Sequence, residues 1–312
     1  MENNHQPPAE LINSGLEEFR QYLRSLASQG GPNASEHDAF TKWLEKVAAQ
    51  KAAGVFSAEM FRSIRAELGD ALTPQTMQGF ALSKPHGYSG DFEIIERIYQ
   101  QWISPTPNLA KWDEYFHAQA APRAVRARKQ YFKDWLRPWE DKHTNGVFRV
   151  LNVASGSARD VSEYFAANPS SRVRVECVDH DANANVFAER LCAPFLANVV
   201  FHHANALRFH PPRPVKLVRS AGLFDYLEDG VFVLLLRRLW RAVEVGGELA
   251  IGNFCPANPT RPYMELVGEW FLNHRTAEQL TELAKRAEIP SQSVRVASEV
   301  EGVNLFLHAR KE

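Results

Sequence analysis

The stretch VLNVASGSARDV, Val150 to Val161, runs from an apolar segment through a loop of small residues into the start of a helix. Small residues at such a junction let backbone approach a ligand closely, and a helix N-terminus offers unpaired N–H groups, so the chemistry suggested is nucleotide-cofactor binding. The dinucleotide fingerprint G-x-G-x-x-G lacks two of its three glycines here, and the Gly-Lys-Ser/Thr of a phosphate loop is absent. The next apolar segment, within VECVDHD, runs into Asp179 and His180. A carboxylate at the end of a second strand can accept both hydroxyls of a ribose. Each feature alone also has a plain reading: an ordinary strand-to-helix turn at 154–158, a helix cap at Asp179, a turn residue at Asn205. Their order along the chain is what points to a cofactor.

The loop NVASGSARD resembles the D/E-x-G-x-G-x-G pattern of class I S-adenosylmethionine-dependent methyltransferases, with Asn152, Ala154, Gly156 and Ala158 in its four fixed places. Only the central glycine is kept, and the acidic place holds an asparagine. The resemblance covers about residues 146–312. It implies S-adenosylmethionine as cofactor. The contacts it implies come from Asn152, Ala154, Ser155 and Gly156 in the loop and from Asp179 and His180 after the second strand. Ser220 ends the fourth strand, and Asn205 and Ala206 follow the third, where the family sets a side chain and a backbone N–H against adenine. The helix leading into the first strand packs against this loop in such folds, so Arg128 and Tyr131 are candidates for the cofactor's amino-acid end. A guanidinium matches a carboxylate with two hydrogen bonds. The basic run Arg123, Arg126, Arg128 and Lys129 also reads as a solvated face.

Two further segments add to this. KPHGYSGDFE, together with GLFDYL, resembles a subgroup that includes bacterial enzymes making hydroxy-fatty-acid methyl ester signals. Pro85 and Gly87 force a turn, and Asp91 stands where it can cap the next helix. Tyr88, between two glycines, reads either as part of a mobile lid over the reaction centre or as packing of a helical cap. Phe224 and Tyr226 read either as core aromatics or as cleft lining. Tyr88, Tyr226 and Asn253 are the candidates for orienting an acceptor, and no general base or metal constellation stands out.

The elements that must position these residues fall into two halves. Before Gly146, apolar residues recur at helical spacing in LINSGLEEFRQYLRSLA, EHDAFTKWLEKVAAQKAA, SAEMFRSIRAELG and GDFEIIERIYQQWI. The same holds for PRAVRARKQYFKDWLRPW, a helix expected to stop before Pro138. No strand is expected there. After Gly146, strands and helices alternate: FRVLNVA, VRVECVD, NVVFHHAN, VKLVRSAG and GGELAIGNF as strands, with helices ARDVSEYFAAN, ANANVFAERLC and VFVLLLRRLWRAV after the first, second and fourth. Gly246-Gly247 is expected as a turn, and helical stretches through YMELVGEWF and AEQLTELAKRA follow. SVRVASEV and VNLFLHAR close the chain as a hairpin. The expectation is an α/β, Rossmann-like class I methyltransferase fold. It has a mainly parallel, doubly wound sheet with an antiparallel C-terminal hairpin (146–312) and an N-terminal helical cap or lid (1–145).

Composition narrows the setting. The chain has 312 residues, 45% of them hydrophobic, which is enough for a sizeable core. A formal net charge of −1 gives no reason to expect nucleic acid or an anionic membrane as partner. Cys177, Cys192 and Cys255 are far apart and form no ligand spacing. The polar start MENNHQPPAELINSG lacks the order of a signal peptide, and no run of about 18 apolar residues occurs, so the cytoplasm is the expected compartment. The leading function is methyl transfer to a small molecule, in secondary metabolism or signalling. Two others stand beside it. One is a lyase that closes S-adenosylmethionine to azetidine-2-carboxylate and methylthioadenosine, suggested by the replaced acid at 152 and the aromatic-rich N-terminal half. The other is a non-catalytic cofactor-binding protein. Acceptor and oligomeric state are left open.

Overall fold

The computed structural model describes residues 9–143 and 146–312. In chain order the helices before the first strand are α1 (Ala9–Ser28), α2 (His37–Ala52), α3 (Ala58–Arg65), α4 (Met77–Ser83), α5 (Phe92–Gln100), α6 (Pro107–Ala118) and α7 (Ala120–Lys142). Then come β1 (Phe148–Val153), α8 (Arg159–Ala167), β2 (Val173–Asp179), α9 (Ala182–Leu191), β3 (Val199–His203), β4 (Val215–Ser220), α10 (Asp229–Ala242) and β5 (Val243–Phe254). The chain ends with α11 (Arg261–Leu266), α12 (Ala277–Arg286), β6 (Val294–Ser298) and β7 (Asn304–Arg310). Among the described residues, no strand precedes Phe148. The described residues form two compact units: 9–119 with 259–271, and 120–143 with 146–258 and 272–312.

The first unit is helical. Its centre is aromatic: Phe40, Trp112, Tyr115 and Tyr263 are all buried, with Tyr115 and Tyr263 edge to face at 5.1 Å. Asp113 is buried and accepts from the backbone of Met77 at 2.6 Å and of Ser104 at 2.8 Å, tying α4 and the segment before α6 to one carboxylate. Burial raises its pKa to about 6, against the pull of those two hydrogen bonds. The KPHGYSGD segment is the turn between α4 and α5. Lys84 ends α4 in the left-handed region (φ 47°), and Gly87 N–H closes the turn on Lys84 O at 2.8 Å. Asp91 caps α5, accepting from Glu93 N and Ile94 N at 3.0 and 2.9 Å, as its place before an amphipathic run suggests. α11 stops at Leu266, short of the helix expected through YMELVGEWF, because Glu269 adopts φ 46° and a right-handed helix cannot pass through it.

The second unit is a seven-stranded sheet of order β3-β2-β1-β4-β5-β7-β6. The strands from β3 to β5 are parallel, and β7 is antiparallel to both β5 and β6. This is the Rossmann-like α/β arrangement of class I methyltransferases, with the C-terminal antiparallel hairpin expected from the close spacing of the last two strands. Alternation along each strand sends side chains to opposite faces. Leu151, Val218, Leu249 and Leu307 pack with Phe232, Leu235 and Leu236 of α10 and Leu280 and Leu283 of α12. Val150, Val175 and Leu217 pack with Leu136 of α7, Val161, Tyr164 and Phe165 of α8 and Ala188 of α9. Gly246 and Gly247 lie inside β5, not before it. A side chain at Gly247 would stand 2.5 Å from Lys216 O, and a register shift against β4 between Val215 and Leu217 takes up the irregularity.

Helix α7 runs through Pro138 to Lys142 rather than stopping ahead of it. A proline inside a helix removes one backbone hydrogen bond and crowds the preceding turn. Tertiary contacts hold the last turn in place. Glu140 accepts from Tyr164 Oη, from Ser171 Oγ at 2.7 Å and from Arg172 N at 3.0 Å. Mid-helix, Trp135 Nε1 donates to Glu248 Oε1 at 3.1 Å. The same oxygen accepts from His308 Nδ1 at 2.6 Å and from Arg295 Nη2 at 2.8 Å. Burial lowers the pKa of His308 against the pull of Glu248, and its Nε2 shares a hydrogen bond with Tyr131 Oη at 2.7 Å. Burial pushes the Glu248 carboxyl upward, but His308, Arg295 and Trp135 together hold it below its ordinary range.

Candidate cofactor site

In β1, β2 and β4 the register sets Val153 beside Val178 on one side and Ser220 on the other. The loop after β1 therefore emerges next to Asp179 and next to the loop after β4. On one side of β1 the chain steps outward through β2 and β3; on the other it continues with β4. That reversal opens a crevice at the carboxyl ends of the strands, where open α/β sheets take their ligands. Asn152, Ala154, Ser155, Gly156, Asp179 and Ser220 are brought together on this rim. Asn205 and Ala206 follow β3 along it, since His203 pairs with Asp179 and Ala204 N–H donates to Asp179 O at 2.9 Å.

The conformation of the first loop is the most telling part of the site. Ala154, Gly156 and Ala158 all lie in the left-handed region, at φ 52°, 54° and 49°. These are the three places where the family pattern has glycine. A left-handed alanine costs about 1–2 kcal/mol, because Cβ crowds the carbonyl oxygen. The chain holds the glycine conformation without two of the glycines, and such outliers collect where function fixes the backbone. Neighbouring strands and turns support it: Ser155 N–H donates to Val178 O at 3.2 Å and Ala158 N–H to Ser155 O at 3.0 Å. Gly156 N–H donates to Asp179 Oδ2 at 2.8 Å.

Asp179 is buried and also accepts from Asp181 N at 3.0 Å through its other oxygen. Two backbone donors fix its orientation, and each carboxylate oxygen keeps a further lone pair for a hydroxyl group. His180 beside it is exposed, with Nδ1 3.5 Å from Asp179 Oδ1. Ser155 Oγ and Ser220 Oγ are buried and have no hydrogen-bond partner, as is Arg128 Nε. Arg128 is 6% exposed, and a side chain at Gly222, just past β4, would meet its Nη1 at 3.0 Å. Orphaned buried donors of this kind are costly unless a ligand completes them. Two hydroxyls, a guanidinium and an acceptor-rich carboxylate on one rim suit a ligand with a ribose and a carboxylate, as S-adenosylmethionine has.

The remaining candidates stand in other surroundings. Asn205 is exposed; its Oδ1 accepts from Leu207 N at 2.8 Å, closing the turn after β3. Tyr131 stacks flat on Phe306, with ring centroids 4.0 Å apart, and its hydroxyl is taken by His308. Asn253 is fully buried; its Nδ2 donates to Phe254 O and Asn273 O at 3.0 and 2.9 Å, and its Oδ1 accepts from Arg275 at 2.9 Å. Turning that amide towards an acceptor would break all three bonds. Phe224 and Tyr226, on the turn after β4, separate: Phe224 is core, Tyr226 is 38% exposed. Tyr88 lies half-buried on the α4–α5 turn of the helical unit.

Two buried charge clusters were not foreseen. Arg219 on β4 is 7% exposed; its Nε donates to Asn152 Oδ1 at 3.1 Å, and its Nη2 pairs with Asp160 on α8. Its guanidinium lies over the Phe132 ring of α7, 4.6 Å from the centroid. Asp225, after β4, accepts from Phe254 N at 2.6 Å. Burial raises its pKa to about 7, against that hydrogen bond and the nearby charges of Arg128 and Arg275. Arg275 in turn binds Phe224 O, Leu227 O and Asp229, so it pins the whole turn after β4. The signal for the first cluster was present in VKLVRSAG: an arginine inside an otherwise apolar strand must find a buried partner.

No protein-family model matches the chain, and no curated protein matches its sequence. Among solved structures it is similar to a possible exported protein from Bordetella parapertussis, at 18% identity and a TM-score of 0.65 over 100% of this chain and 99% of that one. This likeness shows a shared fold. The chain is also similar to the S-adenosylmethionine-dependent methyltransferase SibL, at 18% identity and a TM-score of 0.49 over 86% of this chain and 78% of that one. A third is magnesium protoporphyrin IX methyltransferase from Synechocystis PCC 6803 with bound SAH, at 12% identity and a TM-score of 0.46 over 62% and 87% of the two chains. Among the described residues, no helix is long and apolar enough to cross a membrane, and no cluster of His, Cys, Asp or Glu could hold a metal ion.

Proposed function

We propose that this chain is an S-adenosylmethionine-dependent enzyme that transfers a methyl group to a small molecule. The observation that carries the reading is the run of left-handed residues at 154, 156 and 158 against the Asp179 carboxylate. That backbone shape is wanted where main chain must pass close to a ligand, and Asp179 is placed to take a ribose diol. Arg128 would take the amino-acid carboxylate of the cofactor, since its buried Nε has no protein partner. Ser155 and Ser220 would complete the polar contacts from the loop and from β4. The cofactor, when bound, supplies a methyl group made electrophilic by its sulfonium. The protein's part is then to align a nucleophile with it and to exclude water. Tyr226, exposed on the turn after β4, would face the acceptor.

The deciding experiment is incubation of purified protein with S-adenosylmethionine, with and without a panel of small hydroxyl, amine and carboxylate acceptors, followed by mass spectrometry. Adenosylhomocysteine formed only with an acceptor is the expected result. Methylthioadenosine formed without any acceptor would replace methyl transfer by the intramolecular cyclisation. Failure of calorimetry to detect binding of S-adenosylmethionine or adenosylhomocysteine would remove the cofactor reading altogether.

A further inference from the structure

We infer that Arg219 is a positioning residue for the cofactor loop, clamping it from beneath at both of its ends. The inference rests on the cofactor reading above, and it concerns a residue outside the family pattern. Asn152 immediately precedes the last residue of β1, and Asp160 lies in the first turn of α8. Between them run the three left-handed positions. Arg219 touches both ends at once, through Nε to Asn152 Oδ1 at 3.1 Å and through Nη2 to Asp160. The far oxygen of Asp160 accepts from Val161 N at 2.9 Å, which orients the carboxylate from its own helix. Phe132 lies across the guanidinium and keeps it in plane. α8 has no side-chain cap, since its N-cap residue is Ala158, so nothing at that position anchors the start of the helix.

This arrangement gives position 152 a role different from that of the acid it replaces. Its amide oxygen faces Arg219, and its Nδ2 faces Cys177 Sγ at 3.9 Å. The negative charge lies instead at Asp160, eight residues on, where it balances the arginine. An aspartate at 152 would set two carboxylates on one buried guanidinium. The asparagine is therefore the matching choice for a strand that carries Arg219. It also explains how two left-handed alanines are tolerated: fixing both ends of a short loop leaves little freedom between them.

A lysine at 219 keeps the charge but cannot present two separated donors in a fork. Three forms test the clamp: wild type, Arg219→Lys, and the double variant Asp160→Asn/Arg219→Met. The double variant leaves no unpaired buried charge and so protects against simple misfolding. Two readouts are taken. Amide hydrogen exchange on the free protein should show peptides covering 154–158 exchanging at least about 10-fold faster in both variants, with β1 and β4 protection unchanged. Calorimetry with adenosylhomocysteine should show Kd raised about 10-fold or more, with Tm within a few degrees of wild type for at least one variant. Unchanged loop exchange and unchanged Kd, alongside a lower Tm, would make the pair a mere core ion pair and overturn the inference. Faster loop exchange in variants of a wild type that binds no adenosylhomocysteine would keep the clamp and discard the cofactor reading.

Discussion

Restoring glycine at position 154 should stabilise the protein, which is the reverse of what Ala→Gly does in most places. Ala154 is held at φ 52° and is half-buried, so its methyl contributes little packing. Relief of the left-handed penalty is about 1–2 kcal/mol. Against it stands the greater freedom of an unfolded glycine, about 0.4–1 kcal/mol. The net is a gain of roughly 0.5–1 kcal/mol, or about 1–3 °C in Tm for a unit of this size. Ala158 is the internal control. It is at φ 49° too, but its side chain is buried among Val161, Tyr164 and Cys192. Losing that methyl costs about 0.8 kcal/mol more, so Ala158→Gly should come out near neutral. Urea unfolding of wild type and both variants, monitored on one preparation each, measures the difference. Adenosylhomocysteine affinity of Ala154→Gly should stay within about threefold, because glycine adopts the same backbone. A loss of 1 kcal/mol or more at 154 would refute the argument, since it would mean that residue 154 is not left-handed in solution.

Other outcomes follow from the same site. Asp179→Ala removes the acceptor of Gly156 N–H and of the ribose hydroxyls, each charge-assisted bond being worth about 1.5–3 kcal/mol. Adenosylhomocysteine binding by calorimetry should weaken at least about 10-fold, and wild-type affinity would exclude Asp179 from the site. Gly156→Val sets a β-branched residue at φ 54° and should abolish cofactor binding while far-ultraviolet circular dichroism stays that of wild type. Normal binding would mean that the loop is wrongly aligned. Asp225, with its pKa raised to about 7, contributes stability that is complete below the ordinary carboxylate range and lost as pH rises through about 7. Asp225→Asn lacks that loss, so its stability relative to wild type should improve between pH 4 and pH 7, by up to about 1.4 kcal/mol per unit. A relative stability that is flat across this range in urea titrations would place Asp225 in water.

Much of the sheet could be read in advance because its strands are short, apolar and separated by helical periods. VRVECVD coincides with β2, and the close spacing of the last two strands implied the hairpin. The sequence does not mark off the helices α4 and α6. Met77–Ser83 is only seven residues long, and Pro107–Ala118 carries Asp113 and His117 on its buried side, which blurs the apolar stripe. Pro138 misled because propensity is local, whereas the last turn of α7 is held by contacts from Tyr164, Ser171 and Arg172. At the candidate site, residue type singles out Asp179 and the small-residue loop but not their conformation: no pattern states that Ala154 and Ala158 adopt glycine geometry. Asn253 and Tyr131 show the opposite limit. Sequence places them near a strand end and near the loop, but the folded chain pairs them with Arg275 and His308.

The extent of α7 bears on how this chain can be cut and rejoined. Composition changes near Gly146, which invites truncation there, yet the sheet unit begins at Ala120. A fragment starting at Gly146 would lose Phe132 from above Arg219, Trp135 from Glu248 and Arg128 from Gly222. It would expose Phe306 and leave a buried carboxylate short of a donor. The sheet unit is also interrupted, since residues 259–271 belong to the helical unit. The chain leaving for that excursion and the chain returning from it are held together by Arg275 N–H on Phe254 O at 3.0 Å and by Asn253 Nδ2 on Asn273 O. Neither unit is therefore a cassette in the linear gene sense. Shuffling this sheet unit between proteins would need three junctions, at 119/120, 258/259 and 271/272, rather than the single one that composition advertises.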